Sequence, residues 1–154
     1  MIQRIQTIYL ALAALLSGLL LNGPIVKLVG SGGEDYRLLY KGIYLFENEI
    51  PIVVEKSFPL SILIITVTLL FFLAILMFRK RKLQIRLTVL TTLLNLGILL
   101  LILFYTFYTG NKLGADYVFG IKMVFPLAGS IFGYLAFRNI LKDVLIIKSY
   151  DRIR

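Results

Sequence analysis

Four long apolar segments constrain what this chain can fold into more than any other feature. They span residues 5–22, 58–78, 87–108 and 118–137. A helix of about 20 apolar residues crosses the roughly 30 Å hydrocarbon core of a membrane, and backbone in lipid must satisfy its own hydrogen bonds. Runs such as ILIITVTLLFFLAILMF lack the alternation of a membrane β-strand. The sequence therefore predicts four transmembrane helices.

The first apolar segment has a second interpretation, because MIQR followed by IYLALAALLSGLLL is also typical of a cleaved signal peptide. A small-residue cleavage site should follow such a core, but the next residues, LNGPIVK, instead indicate the end of a helix. We expect the segment to be retained. An even number of helices then places both termini on one side of the membrane.

The distribution of charge predicts which side that is. The chain has 17 Lys and Arg residues against 8 Asp and Glu residues, a net charge of +9. The N-terminus, the loop 79–86 and the tail 138–154 carry eleven cations and two anions, whereas the outer loop 23–57 and residues 109–122 carry six of each. Short loops rich in Lys and Arg remain cytoplasmic. We therefore expect both termini in the cytoplasm and the loop 23–57 outside.

The basic loop FRKRKLQIR is predicted to contact anionic lipid headgroups, which attract cations close to the membrane surface. The residues proposed for this contact are Arg79, Lys80, Arg81, Lys82 and Arg86. The alternative is a docking site for an acidic partner or for nucleic acid. Strips that bind single-stranded nucleic acid usually interleave aromatic residues with the cations, and this loop does not, so no nucleic-acid partner is predicted.

The outer loop is long enough to fold. Residues 36–46 and 50–55 are rich in β-branched and aromatic side chains, which favours strands, and residues 25–29 can add a third. A tyrosine at every fourth position from Tyr36 to Tyr44 also suits a helix. We expect a small β-hairpin or sheet, which needs support from the helix ends or from a partner because a lone hairpin is marginally stable.

Small residues are spaced for close helix packing in the first and fourth helices. The pairs are Ala14 with Gly18 and Gly129 with Gly133. Small residues four positions apart let helix backbones approach closely in a membrane. They predict contact of the first helix with the fourth, or alternatively with another subunit.

Few polar residues lie within the predicted helices. Asn95 and Thr92 are predicted to make hydrogen bonds between helices or, alternatively, to contact a ligand. No carboxylate lies in the core of a predicted helix, although ion-coupled carriers usually keep one there. Lys122 is expected to extend towards the outer interface, and Pro126 to kink the fourth helix.

The chain contains no cysteine and no histidine, which excludes disulfides, cysteine nucleophiles and the usual zinc sites. No cofactor, metal ligand or catalytic residue is predicted, and we expect a protein that is not an enzyme. The outer carboxylates Glu47, Glu49 and Glu55 leave a minor alternative of a membrane enzyme.

Three segments, MIQRIQTIYL, RKLQIRL and ILKDVLIIKSYDRIR, resemble the bacterial family called domain of unknown function 4293 over the full length. The resemblance implies an integral protein of the bacterial inner membrane whose first helix is retained. It implies no reaction, ligand or site residue.

Together these observations predict an all-α membrane protein of one domain, residues 1–154. It consists of a four-helix bundle, a small extracytoplasmic β-element and a C-terminal helix extension in the cytoplasm. The main functional hypothesis is an accessory or scaffolding subunit of a larger membrane assembly, whose partners are membrane lipids and other membrane subunits. The alternative is a protein that binds or transports a lipid or small molecule near Asn95, Thr92 and Tyr134.

Overall fold

The computed structural model describes residues 2–47 and 50–150, with side chains described from residue 5 to residue 145 outside that gap. Its four helices are α1 (Ile2–Leu19), α2 (Phe58–Leu76), α3 (Arg81–Leu113) and α4 (Phe125–Tyr150). Short 3₁₀ turns, Met77–Arg79 and Ile121–Val124, precede α3 and α4.

Five strands form one antiparallel sheet. They are β1 (Val26–Val29), β2 (Asp35–Leu39), β3 (Gly42–Glu47), β4 (Ile50–Lys56) and β5 (Asp116–Phe119), and their order across the sheet is β4-β3-β2-β1-β5. The prediction of an all-α bundle with a small hairpin is therefore wrong, because the chain has a mixed α/β fold.

The strand β5 is the main reason for this correction. Its last two residues, Val118 and Phe119, fall in the predicted fourth helix (residues 118–137), but the strand pairs with β1 in the register Val26↔Phe119 and Leu28↔Tyr117. Two glycines frame the strand. Gly114 ends α3 with a left-handed φ of 58°, and a Cβ on Gly120 would lie only 2.6 Å from the carbonyl oxygen of Ile25.

The later start of α4 changes the roles of two residues. Pro126 is the second residue of α4, where its missing N–H costs no helical hydrogen bond, so it begins the helix instead of kinking it. Lys122 lies in the preceding 3₁₀ turn, and its ammonium group donates a hydrogen bond to the carbonyl oxygen of Asn22. Both residues therefore belong to the junction between sheet and bundle.

Other predicted boundaries also shift. Residues 36–46 form two strands joined at Tyr40 and Lys41, because β2 folds back on β3. The basic loop is shorter than predicted, since α3 already begins at Arg81. Residues 48–49, between the predicted strands, and the last residues of the tail, 151–154, lie outside the described residues.

The sheet lies at one end of the helix bundle. The helices α1 and α3 run towards it, and α2 and α4 begin from it. The opposite end contains the Met77–Arg79 turn, and we call it the basic end. Helix α1 packs on α2 and α4, and α3 packs on the same two helices. Buried side chains continue from the bundle into the sheet, where Leu28 and Leu38 belong to the same apolar core as Ile102.

Three helices in the described part of the chain are long and apolar enough to cross a membrane: Phe58–Arg79, Arg81–Leu113 and Ile121–Leu145. The apolar part of α1, Ile5–Leu19, is shorter. Large apolar side chains such as Leu69, Phe72 and Leu100 are more than half exposed. Such faces are stable in lipid and unfavourable in water, so the chain is a membrane protein.

Candidate functional site

The buried face of α3 is polar over much of its length. Its buried residues recur every three or four positions, which places them on one side of the helix. They include Gln84, Thr88, Thr91, Asn95, Thr106 and Thr109, with Ile98 and Ile102 in the middle. Of these buried residues, only Asn95 is among the candidate site residues predicted from the sequence, although the spacing of the polar residues already indicates this face.

Asn95 connects three helices. Its side chain is fully buried, and its Oδ1 accepts a hydrogen bond from Ser17 Oγ of α1 at 3.2 Å. Its Nδ2 donates to the Pro126 carbonyl oxygen at 2.7 Å and to Ser130 Oγ at 3.1 Å, both in α4. Both amide atoms are thus satisfied by the protein itself, which makes Asn95 a structural connector between α1, α3 and α4.

Thr92 lies near the hydrogen bonds of Asn95, but its side chain faces a cavity that Asn95 does not line. Its hydroxyl donates to the Thr88 carbonyl oxygen of its own helix at 2.7 Å. It also lines a cavity of about 230 Å³ between α3 and α4. The other residues lining this cavity are Val89, Leu93, Tyr134 and Phe137. Thr92 and Tyr134 therefore meet at one cavity, whereas Asn95 does not line it.

The small residues occupy close contacts with more than one neighbouring helix. A Cβ on Gly129 would lie 2.9 Å from Asn95 Nδ2, and a Cβ on Gly133 would overlap the hydroxyl of Thr92. Gly18 instead faces Thr68 of α2, and Ala14 is half-buried against the apolar core. Both glycines of α4 therefore face α3, and Gly129 also lies against α1, where its Cβ would be 3.8 Å from the carbonyl oxygen of Ala13.

A buried carboxylate lies near the basic end. Asp143 of α4 is only 8% exposed, accepts a hydrogen bond from Gln6 Nε2 of α1, and lies 3.4 Å from Arg81 Nη1 of α3. The sequence places Asp143 within reach of the cations of the loop 79–86, but it does not indicate that the carboxylate is buried, because burial requires α1, α3 and α4 to meet. Asp143 joins the ends of three helices where the apolar core stops.

A cavity of about 420 Å³ opens beside this ion pair. It is lined by Arg79, Lys80, Arg81, Lys82, Leu83 and Val144. Four of the five cations predicted to contact lipid therefore lie around one cavity, and the fifth, Arg86, is exposed on α3 outside it. The structure thus gives the basic segment a concave shape that the sequence did not indicate.

The edge strand β4 exposes a run of apolar side chains, as does the other edge strand, β5. Ile50, Ile52, Val53 and Val54 are each at least 43% exposed. One side of β4 pairs with β3, and among the described residues no strand pairs with its other side. Unpaired strand edges bind further strands readily, which natural proteins usually prevent. This edge is therefore a candidate interaction surface.

One titratable side chain of the sheet has a shifted pKa. Burial, together with a hydrogen bond of 3.0 Å from its hydroxyl to Glu34 Oε2 and the charge of that carboxylate, raises the pKa of Tyr36 above its ordinary value. Tyr36 therefore remains protonated at neutral pH and holds the β1–β2 turn as a hydrogen-bond donor.

The outer carboxylates do not converge in the described part of the chain. Glu55 lies 3.6 Å from Lys112 Nζ, Glu47 is exposed at the end of β3, and Glu49 lies outside the described residues. No group of three or more Asp and Glu side chains suited to a metal ion occurs among the described residues.

Comparison with known proteins gives one result for the whole chain. The model of the family described as Domain of unknown function (DUF4293) matches residues 2–153. No curated protein matches the sequence.

Proposed function

The chain belongs to the DUF4293 family, and we propose that it is a non-catalytic accessory subunit of a larger assembly in the bacterial inner membrane. In this proposal the helices anchor the subunit, and the sheet binds an extended segment of another membrane protein along β4. The proposal requires no cofactor.

The observation that carries the proposal is the exposed apolar edge of β4. Its side chains are exposed on both faces of the sheet, since neighbouring residues of a strand point in opposite directions and Ile52 and Val53 are both 47% exposed. An added strand would gain main-chain hydrogen bonds along the edge and apolar contacts on each face. A partner strand would thus pair with the main-chain groups of this edge and also cover its exposed apolar side chains.

A proline in the edge favours a different protein over a second copy of this chain. Pro51 pairs with Phe46 of β3 and lacks a backbone N–H. If β4 paired with its own copy about a two-fold axis, the ladder between the copies would meet two such prolines. A different partner strand meets only one.

Site-specific photo-crosslinking in native membranes tests this proposal. Crosslinkable residues at Ile52 and Val53 should capture the same membrane protein, and one at the exposed turn residue Lys41 should not. The introduction of Val54→Lys should reduce capture from Val53 by about tenfold, because it places a charge against an apolar contact. Capture of only a second copy of the chain, or equal capture from Lys41, would contradict the proposal.

The proposed orientation has both termini in the cytoplasm and the sheet outside. The basic end of the bundle supports it, because Arg79, Lys80 and Lys82 lie there, whereas the sheet carries balanced charge such as the pair Arg37–Asp35. Positive segments preferentially remain cytoplasmic.

A second candidate function, binding of a lipid or small apolar molecule, is favoured by the cavity between α3 and α4. Its position at Thr92 and Tyr134 agrees with the alternative from the sequence, but Asn95 lies outside its lining. Filling the cavity with Val89→Phe should remove a ligand detected by native mass spectrometry. The control Leu100→Phe, on the exposed side of α3, should retain it. Loss of the ligand in both variants would argue against this site.

A further inference from the structure

We infer that the cavity at the basic end binds the phosphate headgroup of an anionic membrane lipid. This inference is independent of the proposed accessory role. It concerns a formed site with a defined set of residues, in place of a diffuse attraction between the basic segment and the membrane.

Charge is the first part of the argument. Of the four cations around the cavity, only Arg81 has a carboxylate partner, Asp143, at 3.4 Å. Lys80 and Lys82 are exposed and form no ion pair within the described residues. Because no carboxylate among the described residues lines the cavity, Arg79, Lys80 and Lys82 have no ion-pair partner within that part of the chain. A phosphate group supplies the opposite charge and several hydrogen-bond acceptors.

The ion pair also gives the cavity its shape. Arg81 is tied to Asp143 of α4, and Asp143 is tied in turn to Gln6 of α1. These contacts hold the start of α3 next to Val144, which forms the opposite wall of the cavity. The arrangement converts a run of cations into a concave site of about 420 Å³, which is within the range of about 300–1,000 Å³ usual for ligand sites.

The apolar part of the lining favours a lipid over a free phosphate compound. Leu83 and Val144 line the cavity together with the cations. In the Met77–Arg79 turn, Phe78 is 55% exposed, and the Arg79 guanidinium lies 5.8 Å from the centre of its ring. A headgroup bound to the cations would therefore have apolar surface beside it for the start of its acyl chains. Basic pockets between membrane helices are known to bind such headgroups.

The chain offers a matched control for this proposal. Arg86 and Lys142 are exposed cations towards the same end of the bundle, but neither lines the cavity. Neutralising them changes the net charge as much as neutralising Lys80 and Lys82. A comparison of the two double variants therefore separates a formed site from a general effect of charge.

The experiment uses the purified full chain in a neutral detergent and native mass spectrometry. The probes are phosphatidylglycerol, phosphatidylcholine and inorganic phosphate. The unsubstituted protein should retain phosphatidylglycerol in preference to phosphatidylcholine. The variant Lys80→Gln with Lys82→Gln should bind it at least about tenfold more weakly, as expected for the loss of two charges near a headgroup. The variant Arg86→Gln with Lys142→Gln should bind it like the unsubstituted protein.

Two further measurements test whether the variants fold and whether the bound ligand is a lipid or a soluble phosphate. Lys80→Arg with Lys82→Arg keeps both charges and should retain the lipid, which distinguishes lost binding from lost structure. Equal losses in both Gln variants, or equal retention of phosphatidylcholine, would overturn the inference. Displacement of the lipid by inorganic phosphate at an equal concentration would also overturn it, because the ligand would then be a soluble phosphate.

Discussion

Individual polar side chains hold this bundle together where apolar contacts cannot distinguish one helix arrangement from another. Lipid is as apolar as leucine, so helices in a membrane gain little from simple burial and depend on packing and hydrogen bonds. The Asn95 amide supplies such bonds to Ser17 of α1 and to Pro126 and Ser130 of α4. The sequence predicted a hydrogen bond between helices or a ligand contact at Asn95, and the structure shows its amide occupied by protein partners.

Replacing this amide should therefore weaken the fold. Asn95→Leu leaves Ser17 Oγ without its acceptor and removes a donor from the Pro126 carbonyl. We expect a loss of about 1–2 kcal/mol in the free energy of unfolding, measured by denaturant titration in micelles. The control Thr92→Val removes a hydroxyl that bonds only within its own helix and should cost less. An equal effect of the two substitutions would contradict the connector role.

Which helices approach each other closely depends on the neighbour that each glycine faces. The spacing of glycines in the sequence does not reveal that neighbour. The pairs at residues 14 and 18 and at 129 and 133 predicted contact between the first and fourth helices. Helix α1 does pack on α4, but Gly133 faces Thr92 of α3 and Gly18 faces α2. The spacing of small residues identifies a face that can approach another helix, but it does not identify the neighbour.

Alanine substitutions test this packing. Gly133→Ala should lower the free energy of unfolding by about 1–3 kcal/mol, because the new methyl group overlaps the Thr92 hydroxyl. Adding Thr92→Ala should recover much of this loss. The control Gly97→Ala should be neutral or stabilising by up to about 1 kcal/mol, since its Cβ would lie 3.7 Å from Leu63 and alanine favours a helix. Independent effects at residues 133 and 92 would exclude the proposed contact.

The whole molecule has two chemically different ends. Apolar side chains cover the outside of the bundle, the sheet occupies one end, and the uncompensated cations surround a cavity at the other. The buried Asp143 joins α1, α3 and α4 near the basic end, whereas β5 joins the α3–α4 connection to β1 at the sheet end. Each end of the bundle is thus held together by contacts between distant segments.

The orientation of the two ends is directly testable. A cytoplasmic reporter enzyme fused after Arg154 should be active, and an export-dependent reporter fused there should be inactive. The same two reporters inserted between Gly32 and Gly33, in the turn before β2, should show the opposite pattern. This result follows from the cations at the basic end, because short segments rich in Lys and Arg remain cytoplasmic. An export-dependent reporter active only after Arg154 would reverse the proposed orientation.

Local composition was sufficient to recognise the three helices that are long and apolar enough to cross a membrane, the strand-forming tendency of residues 25–55 and the unequal charge of the two ends of the bundle. These properties depend on the length and polarity of neighbouring residues, so a run such as residues 58–78 carries its own signal. Local composition could not assign β5, because the same apolar residues suit a helix in lipid or a strand beside β1. The tertiary structure decides this by pairing Phe119 with Val26.

Local composition also could not predict that Asp143 is buried or which of the cations forms an ion pair. Both depend on which side chains meet across helices, such as Gln6 and Asp143, which lie 137 positions apart. Only the folded chain shows that Arg81 pairs with Asp143, whereas Lys80 and Lys82 form no ion pair within the described residues. The lengths of the apolar segments and the distribution of charge thus identify this chain as a membrane protein with one basic end. Long-range contacts determine its sheet and its candidate sites.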